Sequence, residues 1–138
     1  MTTTRTSRFL RLALLADAIA SGATGLQMTL LSGTLAALLN LPEDLLFDAG
    51  IVLLPYAAFV GYLSRRETLP RWIVFAVIVC NVLWAADSLI LAFSGWIAPN
   101  AFGYAFIIFQ ALVVAVFAEL QYIGLRRSAA TVGQSATA

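Results

Sequence analysis

Residues 71–93 read RWIVFAVIVCNVLWAADSLILAF. A membrane-spanning helix needs about 20 mostly apolar residues, and this stretch has that length and character. Past Arg71, its strongly polar residues are Asn81, Asp87 and Ser88. Pro70 stands just before it and Ser94-Gly95 just after, the punctuation expected where a helix starts and stops.

Outward from this stretch, three more of the same kind appear, at about 9–31, 45–63 and 100–125. Pro42 suits the first turn of the second span, and Glu43 and Asp44 favour its positive N-terminal end. Pro99-Asn100 opens the fourth. The stretch 34–41 is too short to cross. It is read as a short surface helix or an extension of the first span. The expected fold is therefore all-α, a polytopic four-transmembrane-helix bundle over residues 9–127. Residues 1–8 and 128–138, small and polar, are expected to be mobile tails.

Composition agrees. Of the 138 residues, 62% are hydrophobic and 11% charged, with a mean hydropathy of +0.93. An ordinary soluble domain is about 45–50% apolar and about 25% charged. A chain this short cannot bury that apolar excess in a water-facing core, so the expected partner is the lipid bilayer. A net charge of +1 gives no reason to expect nucleic acid as a partner.

Charge placement then orients the spans. The basic residues are Arg5, Arg8, Arg11, Arg65, Arg66, Arg71, Arg126 and Arg127. All precede the first span, join the second to the third, or follow the fourth. The other two connections carry no base, and Glu43, Asp44 and Asp48 lie at that end. The positive-inside rule puts both termini in the cytoplasm of a multi-pass protein in the cell's inner (plasma) membrane. Tyr62, Trp72 and Tyr122 near one face and Trp96 near the other suit interfacial positions. The first span also has signal-peptide features, but Asp17 interrupts its apolar run.

The missing residue types exclude chemistry. There is no His and no Lys, so imidazole ligation, imidazole base catalysis and Schiff-base chemistry are absent. Cys80 is the single cysteine and cannot form an internal disulfide. No catalytic residue, metal ligand set or cofactor is expected. Carboxylate-only chemistry stays open.

The informative residues are those that cost free energy in lipid, about 2.5–3.5 kcal/mol for a charge at mid-membrane. Asp17 shares a helical stripe with Ser21, Thr24 and Met28, flanked by Gly22 and Gly25, so this face is expected to point into the bundle. Glu119 lies eight residues before Arg127, about 12 Å along a helix, on a seam with Ala115, Ala111 and Ile108. If the first and fourth helices are neighbours, Asp17 and Glu119 meet as a proton relay. Otherwise they serve packing, by pairing with Arg or snorkelling to the surface. Asn81, Trp84 and Asp87 share a face of the third helix. With Tyr56, beside Pro55, they form either a solute pocket or an interhelical clasp. Asn81 is a candidate donor to the Ile51 carbonyl that Pro55 frees. The hairpins echo one another, Gly61-Tyr62-Leu63-Ser64-Arg65-Arg66 against Gly124-Leu125-Arg126-Arg127, and a duplication stays open.

The segments Leu83-Trp84-Ala85-Ala86-Asp87-Ser88-Leu89 and Phe117-Ala118-Glu119-Leu120-Gln121-Tyr122, within the four-span layout, resemble small integral membrane proteins of bacteria. That resemblance covers residues 9–127 and implies no activity. Two functions remain. One is a non-enzymatic packing or accessory component, as a homo-oligomer or within a larger membrane complex. The other is a small proton- or cation-coupled carrier for a small or amphipathic solute.

Overall fold

The computed structural model describes residues 3–137, with side chains from 3 to 129. The order is β1 (Thr3–Arg5), α1 (Arg8–Leu30), α2 (Ser32–Leu39), α3 (Glu43–Ser64), β2 (Thr68–Pro70), α4 (Arg71–Phe93) and α5 (Ala101–Thr137). Helices α1, α3, α4 and α5 are each long and apolar enough to cross a membrane. Leu12, Ile19, Leu30, Ile90, Phe93 and Phe109 are among the many large apolar side chains left on the outside. So much apolar surface on the outside is compatible with a lipid environment.

Helix α1 is the centre of the packing, with α3 on one side and α5 on the other, and α4 packs on α5. Small residues make the α1–α3 seam close. A Cβ on Gly25 would meet the Leu53 Cβ at 3.1 Å, and one on Gly22 would meet Ala57 at 3.6 Å. At Gly50 a Cβ would overlap the Thr29 side chain and lie 2.9 Å from the Gly25 carbonyl, so two backbones touch there. Gly124 serves α5 in the same way, against the Leu10 backbone at 2.8 Å.

Both chain ends lie at the arginine end. The Ser7 hydroxyl caps α1 by accepting from the Leu10 N–H at 3.1 Å. The Ser7 N–H donates to the Ser128 Oγ at 2.9 Å, tying the start of α1 to α5. Here the structure differs from the expected tails. Thr3–Arg5 pairs antiparallel with Thr68–Pro70, and the Thr6 hydroxyl reaches the Arg66 carbonyl at 2.8 Å. Ser128 is buried, and α5 continues as helix to Thr137. Composition describes these segments as polar, but backbone pairing and a buried serine decide their placement. Met1, Thr2 and Ala138 lie outside the described residues, as do the side chains from 130 onward.

At the opposite end, α2 is a separate short helix, ended by Asn40 in the left-handed conformation (φ 54°). The Asn40 amide donates to the Ala98 carbonyl at 2.6 Å, and the Asn100 amide to the Leu38 carbonyl at 2.8 Å. The Asn100 Oδ1 in turn caps α5 by accepting from the Gly103 N–H at 2.9 Å. Gly103 sits where a Cβ would run into the Leu39 carbonyl.

Candidate functional site

Asp17 is fully buried, at 0% exposure, midway along the bundle. Its Oδ1 accepts from the Ser21 hydroxyl one turn on, at 2.9 Å. Its Oδ2 accepts from the Asn81 amide of α4 at 2.8 Å and the Gln121 amide of α5 at 2.6 Å. The Tyr56 hydroxyl of α3 lies 3.0 Å from the same oxygen and 2.9 Å from the Asn81 Oδ1, so its one proton serves two acceptors. The Asn81 amide also donates to the Gln121 Oε1 at 3.1 Å. One carboxylate thus gathers hydrogen bonds from all four long helices. Its partners are neutral, and none is an arginine. Arg11, the nearest base in sequence, donates from its Nε to the Ser64 carbonyl at 3.1 Å instead.

This arrangement keeps part of the expected geometry and corrects the rest. The inward stripe of Asp17, Ser21 and Met28 is buried. Glu119 is exposed and does not join the cluster. The inward face of α5 runs through Gly103, Ile107, Ala111, Ala118, Gln121, Leu125 and Ser128, all buried. Glu119 follows Ala118 by one residue, about 100° around the helix at 3.6 residues per turn, and Ala115 is exposed with it. The α5 residue that meets Asp17 is Gln121. An amide in a transmembrane span was its available signal, since polar groups in lipid face other helices.

Tyr56, Asn81, Trp84 and Asp87 all line one cavity of about 260 Å³ between α3 and α4. Within it they divide. Tyr56 and Asn81 belong to the Asp17 cluster, and Asn81 spends its amide there rather than on the Ile51 carbonyl. Trp84 instead donates its indole N–H to the Gln110 Oε1 at 2.9 Å. Gln110 then donates to the Ser88 Oγ at 3.0 Å, and the Ser88 hydroxyl to the Trp84 carbonyl at 2.7 Å. Asp87 is exposed on the cavity wall, unlike the buried Asp17. Cys80 is exposed at the same opening.

Among the described residues, no group of three or more Cys, Asp or Glu side chains comes together to hold a metal ion. No protein-family model, no curated protein and no solved structure matches the chain.

Proposed function

We propose that this chain is a non-enzymatic integral membrane protein whose buried polar residues serve helix assembly, as an accessory or homo-oligomeric component. The observation that carries this reading is the saturation of Asp17. Its carboxylate is spent on side chains from four helices. In hydrocarbon such a group is tolerated only where protein donors replace water. All arginines lie at the end that holds both termini, which supports a cytoplasmic placement of that end in the inner membrane. Removing the carboxylate tests this. Asp17→Ala should lower stability and shift the oligomer distribution in detergent, while Asn81 and Gln121 variants should do the same. Unchanged stability and assembly in all three would refute the reading.

A second reading, a small carrier for an amphipathic solute, is favoured by the cavity lined by Tyr56, Asn81, Trp84 and Asp87. The proton-coupled form that joins Asp17 to Glu119 loses its geometric basis, because Glu119 faces outward. Native mass spectrometry of gently extracted protein separates the two readings. A stoichiometric small molecule supports the carrier, and a ligand-free chain or one held to another protein supports assembly.

A further inference from the structure

Next to the Tyr56–Asp87 cavity, toward the arginine-free end, a groove of about 330 Å³ opens between α3 and α4, with α5 behind it. Its volume is within the range of small-molecule sites, about 300–1,000 Å³. Met28, Leu46 and Ile107 are buried and line it, and Trp84 lies between it and the neighbouring cavity. Two carboxylates, Asp48 of α3 and Asp87 of α4, also line it, and both are exposed. Asp48 is five residues past the start of α3 and Asp87 six before the end of α4, so both lie about 8–9 Å inside the same end of the bundle at 1.5 Å per residue. No basic side chain lines the groove, and every arginine lies at the other end.

An apolar groove alone would accept any acyl chain. Two carboxylates on opposite walls of it repel an anion and gain nothing from a neutral chain. They stabilise a positive group, and do so more strongly the less water is present. We propose that this groove binds a small amphipathic organic cation, an ammonium carrying an apolar body. The ammonium interacts with Asp48 and Asp87, and the body lies on Met28, Leu46 and Ile107. The inference deepens the solute-binding reading and does not depend on the Asp17 cluster.

The test uses the full chain in phosphatidylcholine nanodiscs. The probe is benzyldimethylhexylammonium, which keeps its charge at every pH. Its controls are the neutral analogue with carbon in place of nitrogen, and an alkyl sulfonate of equal length. Binding is measured by calorimetric titration and by tryptophan fluorescence. Saturable binding of the ammonium is expected, with the neutral analogue about tenfold weaker and the sulfonate not binding. Asp48→Asn and Asp87→Asn should each weaken the ammonium about five- to tenfold, as expected for a partly screened charge pair. Asp44→Asn, on the same helix but outside the groove lining, should not. Ala49→Phe, which fills the groove, should abolish binding with the melting temperature retained. Equal affinity for the ammonium and its neutral analogue would overturn the cation inference while leaving the solute-binding reading standing. Failure of every probe to bind would overturn the cation inference, while the solute-binding reading, which rests on the neighbouring cavity, is decided by the native mass spectrometry described above. Loss of ammonium binding when phosphatidylethanolamine replaces phosphatidylcholine would assign the groove to a lipid amine and overturn the small-molecule inference.

Discussion

Asp17 and Asn81, 64 residues apart in the chain, meet at 2.8 Å in the middle of the bundle, where the Asn81 amide donates to a carboxylate with no exposed surface. Through this bond and its neighbours, α1 is connected to α3, α4 and α5 at one point. Asp17→Ala leaves amide donors of Asn81 and Gln121 without their shortest acceptor. Buried donors left unsatisfied cost about 1–3 kcal/mol each, although interhelical hydrogen bonds in membranes average only about 0.6 kcal/mol. The expected loss is about 2–4 kcal/mol in reversible unfolding from detergent. Asp17→Asn should cost less, because its oxygen can keep the Asn81 and Gln121 bonds while its amide turns toward Ser21. Glu119→Gln should leave the unfolding midpoint where it is.

Gly50 and Gly22 lie on opposite helices of the α1–α3 seam and should respond oppositely to a methyl group. At Gly50 the new Cβ meets the Thr29 and Gly25 backbones at 2.8 and 2.9 Å, so Gly50→Ala should cost about 1–3 kcal/mol as the helices separate. At Gly22 the nearest atom is the Ala57 Cβ at 3.6 Å, an ordinary contact. Gly22→Ala should then be neutral or stabilise by up to about 1 kcal/mol, since Ala loses less backbone entropy in a helix. Parallel denaturation curves for the two variants measure the contrast.

The Thr29 hydroxyl oxygen is buried and has no hydrogen-bond partner among the described residues. Thr29→Val keeps the shape and removes that oxygen. A gain of about 1 kcal/mol in unfolding free energy is expected, near the low end of the cost of burying an unpaired hydroxyl. A loss of stability would show that the hydroxyl has a partner in the membrane.

Ser128 holds the two chain ends together, accepting from the Ser7 N–H and donating to the Gly124 carbonyl at 2.9 Å each. Ser128→Ala should cost about 1 kcal/mol. It should also accelerate amide exchange at Ser7 and along β1, while exchange in the middle of α4 stays unchanged. Uniform acceleration would mean that the contact is not local.

Topology is testable by labelling. In a Cys80→Ala background, Thr3→Cys and Ser94→Cys place a thiol at opposite ends of the bundle. An impermeant thiol reagent added to sealed inside-out vesicles should modify the first and spare the second, and intact cells should show the reverse. Labelling of both from one side would exclude the proposed crossing.

How much of this was legible in the chain follows from what each property depends on. Span limits were readable because hydropathy accumulates along one helix and needs no partner. The reading of 71–93 coincides with α4, and 9–31 and 45–63 fall within two residues of α1 and α3. Arginine placement was readable for the same reason. The facing of α1 was readable too, because Asp17, Ser21, Thr24 and Met28 mark one stripe flanked by Gly22 and Gly25, and of these Asp17, Ser21, Gly25 and Met28 are buried.

Rotation of the other helices was not. The two carboxylates Asp17 and Glu119 look alike in sequence, yet one is enclosed and the other faces out. Each residue advances a helix by about 100°, so a side chain's direction is set by whatever packs on the opposite face. For α5 that is a row of small and apolar residues ending at Gln121, Leu125 and Ser128, pressed against α1 and α4. The short β1–β2 pairing belongs to the same class. Two three-residue strands have no hydropathy signal, and they form because the bundle brings segments about 65 residues apart to one end. Local composition therefore settled which segments are helices and which end is basic, while contacts between distant segments settled which polar groups meet.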